Sequence, residues 1–311
     1  DKLGEFLQAF KSFETQNKLS EELNQDKLLE AENFLIETYQ LKNSWQSIQS
    51  YKSKKIDFIE NDNLVFLLGF PRTGTTLLDT ILMGHPDITV LEEAPMAEIM
   101  TEDFNGIGTP EDCYNLTKTD LIKFRKLYKI ELEKQLGYSS NGNLIIDKHP
   151  LNTRYIPLLH HAFPGAKFIV ALRHPCDCVL SCFMQNFEFN KGTGNFISLK
   201  KSTELYDATM GLWLALESKL KLNAQTVRYE DLVEDVDGIC RPLISFLGLK
   251  WVDGILDHTK TAKERTQIST ASYNQVTQTI YKTARGRWSN YEDKLSEILP
   301  KLDPYIKKFG Y

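Results

Sequence analysis

Over residues 1 to 60 apolar positions recur every three or four residues: Leu3, Phe6, Leu7 and Phe10, then Leu28, Leu29, Phe34, Leu35 and Ile36. That spacing puts them on one helix face, and no alternating run interrupts it, so the segment predicts helices and no strand. Ser20, followed by Glu21 and Glu22, reads as a helix start, because a hydroxyl caps orphan N–H groups and acids favour the positive end of the helix dipole. The helical segment could stand alone or end a longer array; a single copy establishes no repeat.

After Asn61-Asp62-Asn63 the pattern changes. Short apolar runs at Leu64–Leu68, Leu144–Ile146 and Lys167–Leu172 each lead into a helix-like segment, Thr75–Met83, Asn152–Ala162 and Cys176–Asn186 respectively. Ile88–Val90 predicts another short strand, Thr203–Leu222 a long amphipathic helix, and Gln225–Tyr229 a last strand. Strands alternating with helices at this spacing predict an α/β fold, a parallel sheet flanked by helices over 61–311, preceded by the helical extension 1–60. In such sheets ligands gather at the carboxyl ends of the strands.

Composition narrows the function. With 311 residues, 41% hydrophobic and 25% charged, the chain is neither disordered nor of low complexity. Its apolar runs fall far short of the ~20 residues that span a bilayer. A net charge of −5 supplies no global basic field for nucleic acid, so an anionic ligand must be held by a local site. Cys176, Cys178 and Cys182 have no second pair at zinc spacing, and the five cysteines read as free thiols of a reducing compartment. The sequence opens at Asp1 with no Met and no basic, apolar leader; a cytoplasmic location is the default, with an upstream targeting segment left open.

The candidate chemistry begins where the first apolar run ends. Gly69-Phe70-Pro71-Arg72-Thr73-Gly74-Thr75-Thr76 has the two-glycine spacing of a phosphate loop, so the fold is expected to be P-loop-like, with Pro71 to Thr76 cradling an anion on backbone N–H groups and hydroxyls. Thr75 stands where a nucleoside triphosphatase carries Lys, and the positive charge has moved into the loop as Arg72. A kinase also needs a magnesium-holding acid on a later strand, and Asp147 is the one clear candidate. A second anion site follows the run Phe168–Leu172: Arg173 ends that strand, and Ser181 lies eight residues on, in the next helix. Two pockets at strand ends suit a nucleotide phosphorylated at two places.

Residues 69–78, with His85-Pro86-Asp87 and Glu92-Glu93, closely resemble the sulfotransferase family. The match is nearest the branch containing protein-tyrosine sulfotransferases and bacterial sulfotransferases fused to tetratricopeptide-like repeats, and it runs with gaps from about Leu64 to Trp288. The resemblance implies the donor 3′-phosphoadenosine 5′-phosphosulfate (PAPS), which leaves as 3′-phosphoadenosine 5′-phosphate (PAP), and no metal. It would account for residues 1–60 as a remnant or short version of the repeats and gives Arg173 and Ser181 to the 3′-phosphate. It also places Tyr229 near the nucleotide, and Ser272 and Arg287 in a C-terminal loop over it, with Arg where the family has Lys.

In-line sulfuryl transfer needs a base for the acceptor hydroxyl, positive charge on the moving group and stabilisation of the leaving oxygen. The resemblance assigns these roles to Glu93, Arg72 and Lys148. Glu92 competes for the base role, although neighbours on an extended segment point opposite ways. His149 also competes, since small-molecule sulfotransferases use a Lys-x-His pattern, but here His149 directly follows Lys148, and one residue turns a side chain to the other face. His174 reads as a supporting group and His85 as a helix end. The acceptor is expected to be a small-molecule or polypeptide hydroxyl, a protein tyrosine among the options. Thr101–Lys118 and Phe187–Lys201 should shape its pocket and carry no readable motif. Two other readings remain: a nucleotide kinase or triphosphatase, and a non-catalytic helical-repeat interaction protein. Oligomeric state is not readable.

Overall fold

A computed structural model describes residues 1, 3–52, 62–101, 108–137, 142–264 and 285–311. Five parallel strands form one sheet in the order β2-β3-β1-β4-β5: β1 is Leu64–Gly69, β2 Ile88–Glu92, β3 Leu144–Lys148, β4 Lys167–Leu172 and β5 Ala224–Arg228. The register sets Leu67 against Lys148 on one side and Ile169 on the other, so the carboxyl ends of β1, β3 and β4 finish together. The chain leaves β1 towards β2 and leaves β4 towards β5. The crevice between β1 and β4 is therefore the topological switch point, where open α/β sheets bind ligands.

All six residues of β1 are buried, as a central parallel strand covered on both faces requires. Phe66 and Leu68 face one core, with α1 (Phe6–Leu23), α2 (Leu28–Ser47) and later helices; Val65 and Leu67 face the other, with α3 (Thr75–Leu82). The N-terminal helices join the first core through Phe10, Phe34 and the wholly buried Trp45. Asp207 pins α2 to the long helix Leu199–Leu220 by accepting from the Tyr39 hydroxyl at 2.9 Å and Lys42 Nζ at 2.8 Å.

Ser20 does not start a helix. It lies inside α1, and its carbonyl accepts from Asn24 Nδ2 at 2.7 Å. A short 3₁₀ turn, Gln25–Lys27, then separates α1 from α2. Elsewhere the predicted runs recover the strands to within two residues, and Ile88–Val90 extends to Glu92. Residues 156–162 are α-helical as read, but Asn152–Tyr155 is a 3₁₀ turn.

Candidate active site

The β1–α3 loop turns on two residues in the left-handed region, Arg72 (φ 72) and Gly74 (φ 89). A Cβ on Gly74 would lie 2.6 Å from Cδ2 of Tyr229, so only glycine lets the loop lie this close to that ring. Arg72 has a Cβ and adopts the region against its preference, a local strain of the kind that binding sites store. Thr75 and Thr76 open α3 and line the cavity beyond the loop, as do Pro71 and Arg72. Thr73 does not line it; its hydroxyl donates to the Phe70 carbonyl at 2.7 Å and holds the turn itself.

Arg173 comes from the adjacent strand end. It donates to the Arg72 carbonyl at 3.1 Å, and its guanidinium carbon lies 5.0 Å from the Tyr229 ring centroid. Ser181 sits in the helix after β4, Pro175–Met184, and accepts from Arg72 Nε at 3.1 Å. Arg72, Arg173, Ser181 and Tyr229, read separately from the sequence, thus meet at the switch point. Arg287 lines the same cavity, and its guanidinium is 2.6 Å from Asp1 Oδ2. Ser272 lies outside the described residues.

A second cluster stands at the ends of β2 and β3. The Lys148 side chain is fully buried, with Nζ 2.8 Å from Glu93 Oε1, 3.2 Å from Glu92 Oε1 and 3.6 Å from Asp79 Oδ2. Burial pulls the Lys148 pKa down, but Asp79, Glu93 and Glu92 outweigh it and the net shift is upward, so the ammonium stays charged. The alternation expected for Glu92 and Glu93 fails. Glu93 has φ 51, a left-handed kink just past the strand, and both carboxylates reach Lys148. Glu93 is the more exposed of the two and lines the cavity.

His149 lines that cavity too, contrary to the expectation that it faces away. Strand pairing ends at Lys148, so alternation no longer fixes the next side chain. Burial lowers the His149 pKa, Glu93 raises it and Lys148 lowers it; the net shift is down, and the ring is neutral at neutral pH. Asp147 points the other way: its Oδ2 accepts from the Tyr128 hydroxyl at 2.9 Å, and burial pushes its pKa up to about 7. His85 is spent on structure, its ring bonded to the Lys250 carbonyl and the Asp87 N–H. His174 caps its helix by accepting from Cys176 N–H, and its ring stacks on Trp288 at 4.9 Å.

Two acids escaped sequence reasoning. Asp79, wholly buried on α3, was visible only as the single charge in the apolar helix TTLLDTIL. Asp177 accepts from the N–H groups of Gly286 and Trp288 at 2.8 and 2.9 Å and lies 3.8 Å from Arg173, tying the Arg287 segment beside the second arginine. Its position in a first helical turn resembles ordinary dipole compensation, which hid it.

Pro71, Arg72, Gly74, Thr75, Thr76, Glu93, His149, Arg173, Ser181, Tyr229 and Arg287 border one cavity of about 1480 Å³, and the buried Lys148 meets it only through its contact with Glu93. Typical ligand pockets measure ~300–1,000 Å³, so there is room for two ligands side by side.

Comparison with known proteins gives concordant matches. A family model described as the sulfotransferase family matches residues 64–253, well over half of the chain. An uncharacterized protein of Aquifex aeolicus is 27% identical over 78% of this chain, which spans only 33% of that protein's length. Protein-tyrosine sulfotransferase 1 of Danio rerio is 25% identical over 82% of this chain and 74% of its own. Among solved structures, the sulfotransferase domain of a Synechococcus olefin synthase covers 76% of this chain and 91% of its own, with a TM-score of 0.55 and 21% identity; it shares the fold.

Proposed function

The chain belongs to the sulfotransferase family, and from that premise we propose that it transfers a sulfuryl group from PAPS to the hydroxyl of an alcohol or phenol. One observation carries the reading: an arginine pair from two strand ends and Glu93 border a single cavity, and the buried Lys148 stands 2.8 Å behind Glu93. The loop suits a phosphate, since Gly74 keeps its cradle narrow and the N–H groups at the start of α3 are ready for an anion. PAPS would supply the sulfuryl group and depart as PAP.

Each residue then has a task. Thr75, Thr76 and the loop backbone hold the 5′-phosphate, and Arg72 meets the sulfuryl oxygens. Arg173, with Ser181, reads the 3′-phosphate, and Tyr229 supports it from below. Glu93 takes the acceptor proton. As it does so its hold on Lys148 weakens, and the ammonium charge is released towards the leaving phosphate oxygen. Arg287 sits where a closing segment would add charge. The five cysteines are buried free thiols, which fits a reducing compartment such as the cytoplasm.

The kinase reading loses support because Asp147, its candidate magnesium ligand, turns into the core towards Tyr128. PAP and ATP–Mg²⁺ should therefore differ in a melting experiment. A hundredfold excess over Kd stabilises by about 2.7 kcal/mol, a shift of several degrees. PAP should give that shift with chelator present, and ATP–Mg²⁺ should give little. The reverse pattern would restore the kinase reading.

Arg173→Ala should separate two nucleotides. A charged hydrogen bond to phosphate is worth ~1.5–3 kcal/mol, so PAP should bind roughly ten- to 150-fold more weakly. Adenosine 5′-phosphosulfate, which lacks the 3′-phosphate, should hardly change. Equal losses in titration calorimetry would remove Arg173 from 3′-phosphate recognition.

A further inference from the structure

The cavity does not end at the nucleotide cradle and Glu93; it continues to a wall built partly by the N-terminal helices. Phe13 of α1 and Phe34 of α2 face it, with Leu151 and Tyr155 from beyond β3 and Phe187 and Phe189 from residues 185–196. Two contacts fasten that last segment to α2. Asn195 Nδ2 donates to the Ala31 carbonyl at 2.9 Å, buried at both ends. Gly194 has no room for a side chain: a Cβ there would lie 2.7 Å from the Phe189 ring and 2.8 Å from Ala31 Cβ. The Arg154 guanidinium lies 4.7 Å from the Phe34 ring centroid and pairs with Glu37 at 2.6 Å, holding Phe34 in place from behind. Charge at this end is self-compensated where Lys191 pairs with Glu98.

We propose that this aromatic wall is the acceptor subsite, that it takes the apolar body of an alcohol or phenol, and that Phe34 of α2 sets acceptor specificity. The inference rests on the sulfotransferase reading, since it needs a reacting hydroxyl held at Glu93. The cavity volume exceeds what one nucleotide fills, the same cavity reaches Glu93 and His149, and the lining beyond them sets these rings and Leu151 beside polar groups such as Glu30, Glu188 and Lys191. An apolar chain extended from the reacting hydroxyl therefore loses water against Phe34 and Phe187 at the usual gain per methylene. The N-terminal helices thus do more than cover the sheet: they choose the substrate.

The test measures binding of 4-methyl-, 4-ethyl-, 4-propyl- and 4-butylphenol to the enzyme saturated with PAP, so no turnover is required. Each buried methylene is worth about fourfold, and affinity should rise roughly 50-fold across the series. In Phe34→Ala the rise should fall below about tenfold, with PAP affinity unchanged. Phe187→Ala, at a half-buried position less able to disturb folding, should flatten the series in the same way. A flat series in the wild type, or slopes unaltered in both variants, overturns the subsite. If PAP itself fails to bind, the sulfotransferase reading has failed instead.

Discussion

Glu93→Gln should bind PAP with wild-type affinity and turn over ~10²–10⁴ times more slowly, the usual result of removing a general base. Gln keeps the shape and can still accept from Lys148 Nζ, which stands 2.8 Å from the carboxylate, but it cannot take a proton. The neighbours test the assignment. Glu92 is the more enclosed carboxylate, and Glu92→Gln should lose less than about tenfold. His149 is the stronger rival, because it borders the cavity and burial keeps it neutral and able to accept a proton. A rate series over phenols of graded acidity separates the two: acidic phenols arrive partly ionised, so the loss in the variant lacking its base shrinks as acceptor pKa falls. If His149→Asn shows that pattern and Glu93→Gln does not, the proton goes to the imidazole.

Why those rivals were hard to rank in sequence is a matter of backbone geometry. The strands were legible because a central parallel strand reads as an unbroken apolar run, as Leu64–Leu68 does. The phosphate loop was legible because its glycine spacing and displaced arginine are local. Side-chain direction beyond a strand end is not local. Alternation predicted opposite faces for Glu92 and Glu93, and the left-handed kink at Glu93 brought both to one lysine. The same failure turned His149 inward just past β3.

Long-range partners were beyond reach for a different reason. Asp79 is 69 residues from Lys148 and on another element, and only the packing of α3 across β3 brings them to 3.6 Å. The aromatic wall likewise draws on α1, α2, residues 151–155 and residues 185–196, four pieces with no shared motif. Of these pieces the sequence marks only Phe187–Lys201 as shaping a pocket; Phe13 and Phe34 look like ordinary core until the cavity between the pieces is seen.

Lys148→Met should cost both stability and rate, and the two losses can be divided. Removing the cation leaves Asp79 and Glu92 beside each other with little solvent, and stripping one partner from a buried ion cluster costs about 3–5 kcal/mol. The melting temperature should fall on the order of 10 °C. Adding Asp79→Asn removes the most deeply buried acid of the cluster and should recover most of that fall, because residues sharing one network do not act additively. The rate should not recover. A donor aimed at developing charge is worth ~10²–10³ in turnover, and neither Met nor Asn supplies an ammonium at the end of β3. Recovery of both quantities in the double variant would reduce Lys148 to a counter-ion for three acids. Recovery of stability alone assigns it to the leaving oxygen, and makes the buried acids the means by which a charged lysine is kept inside the fold.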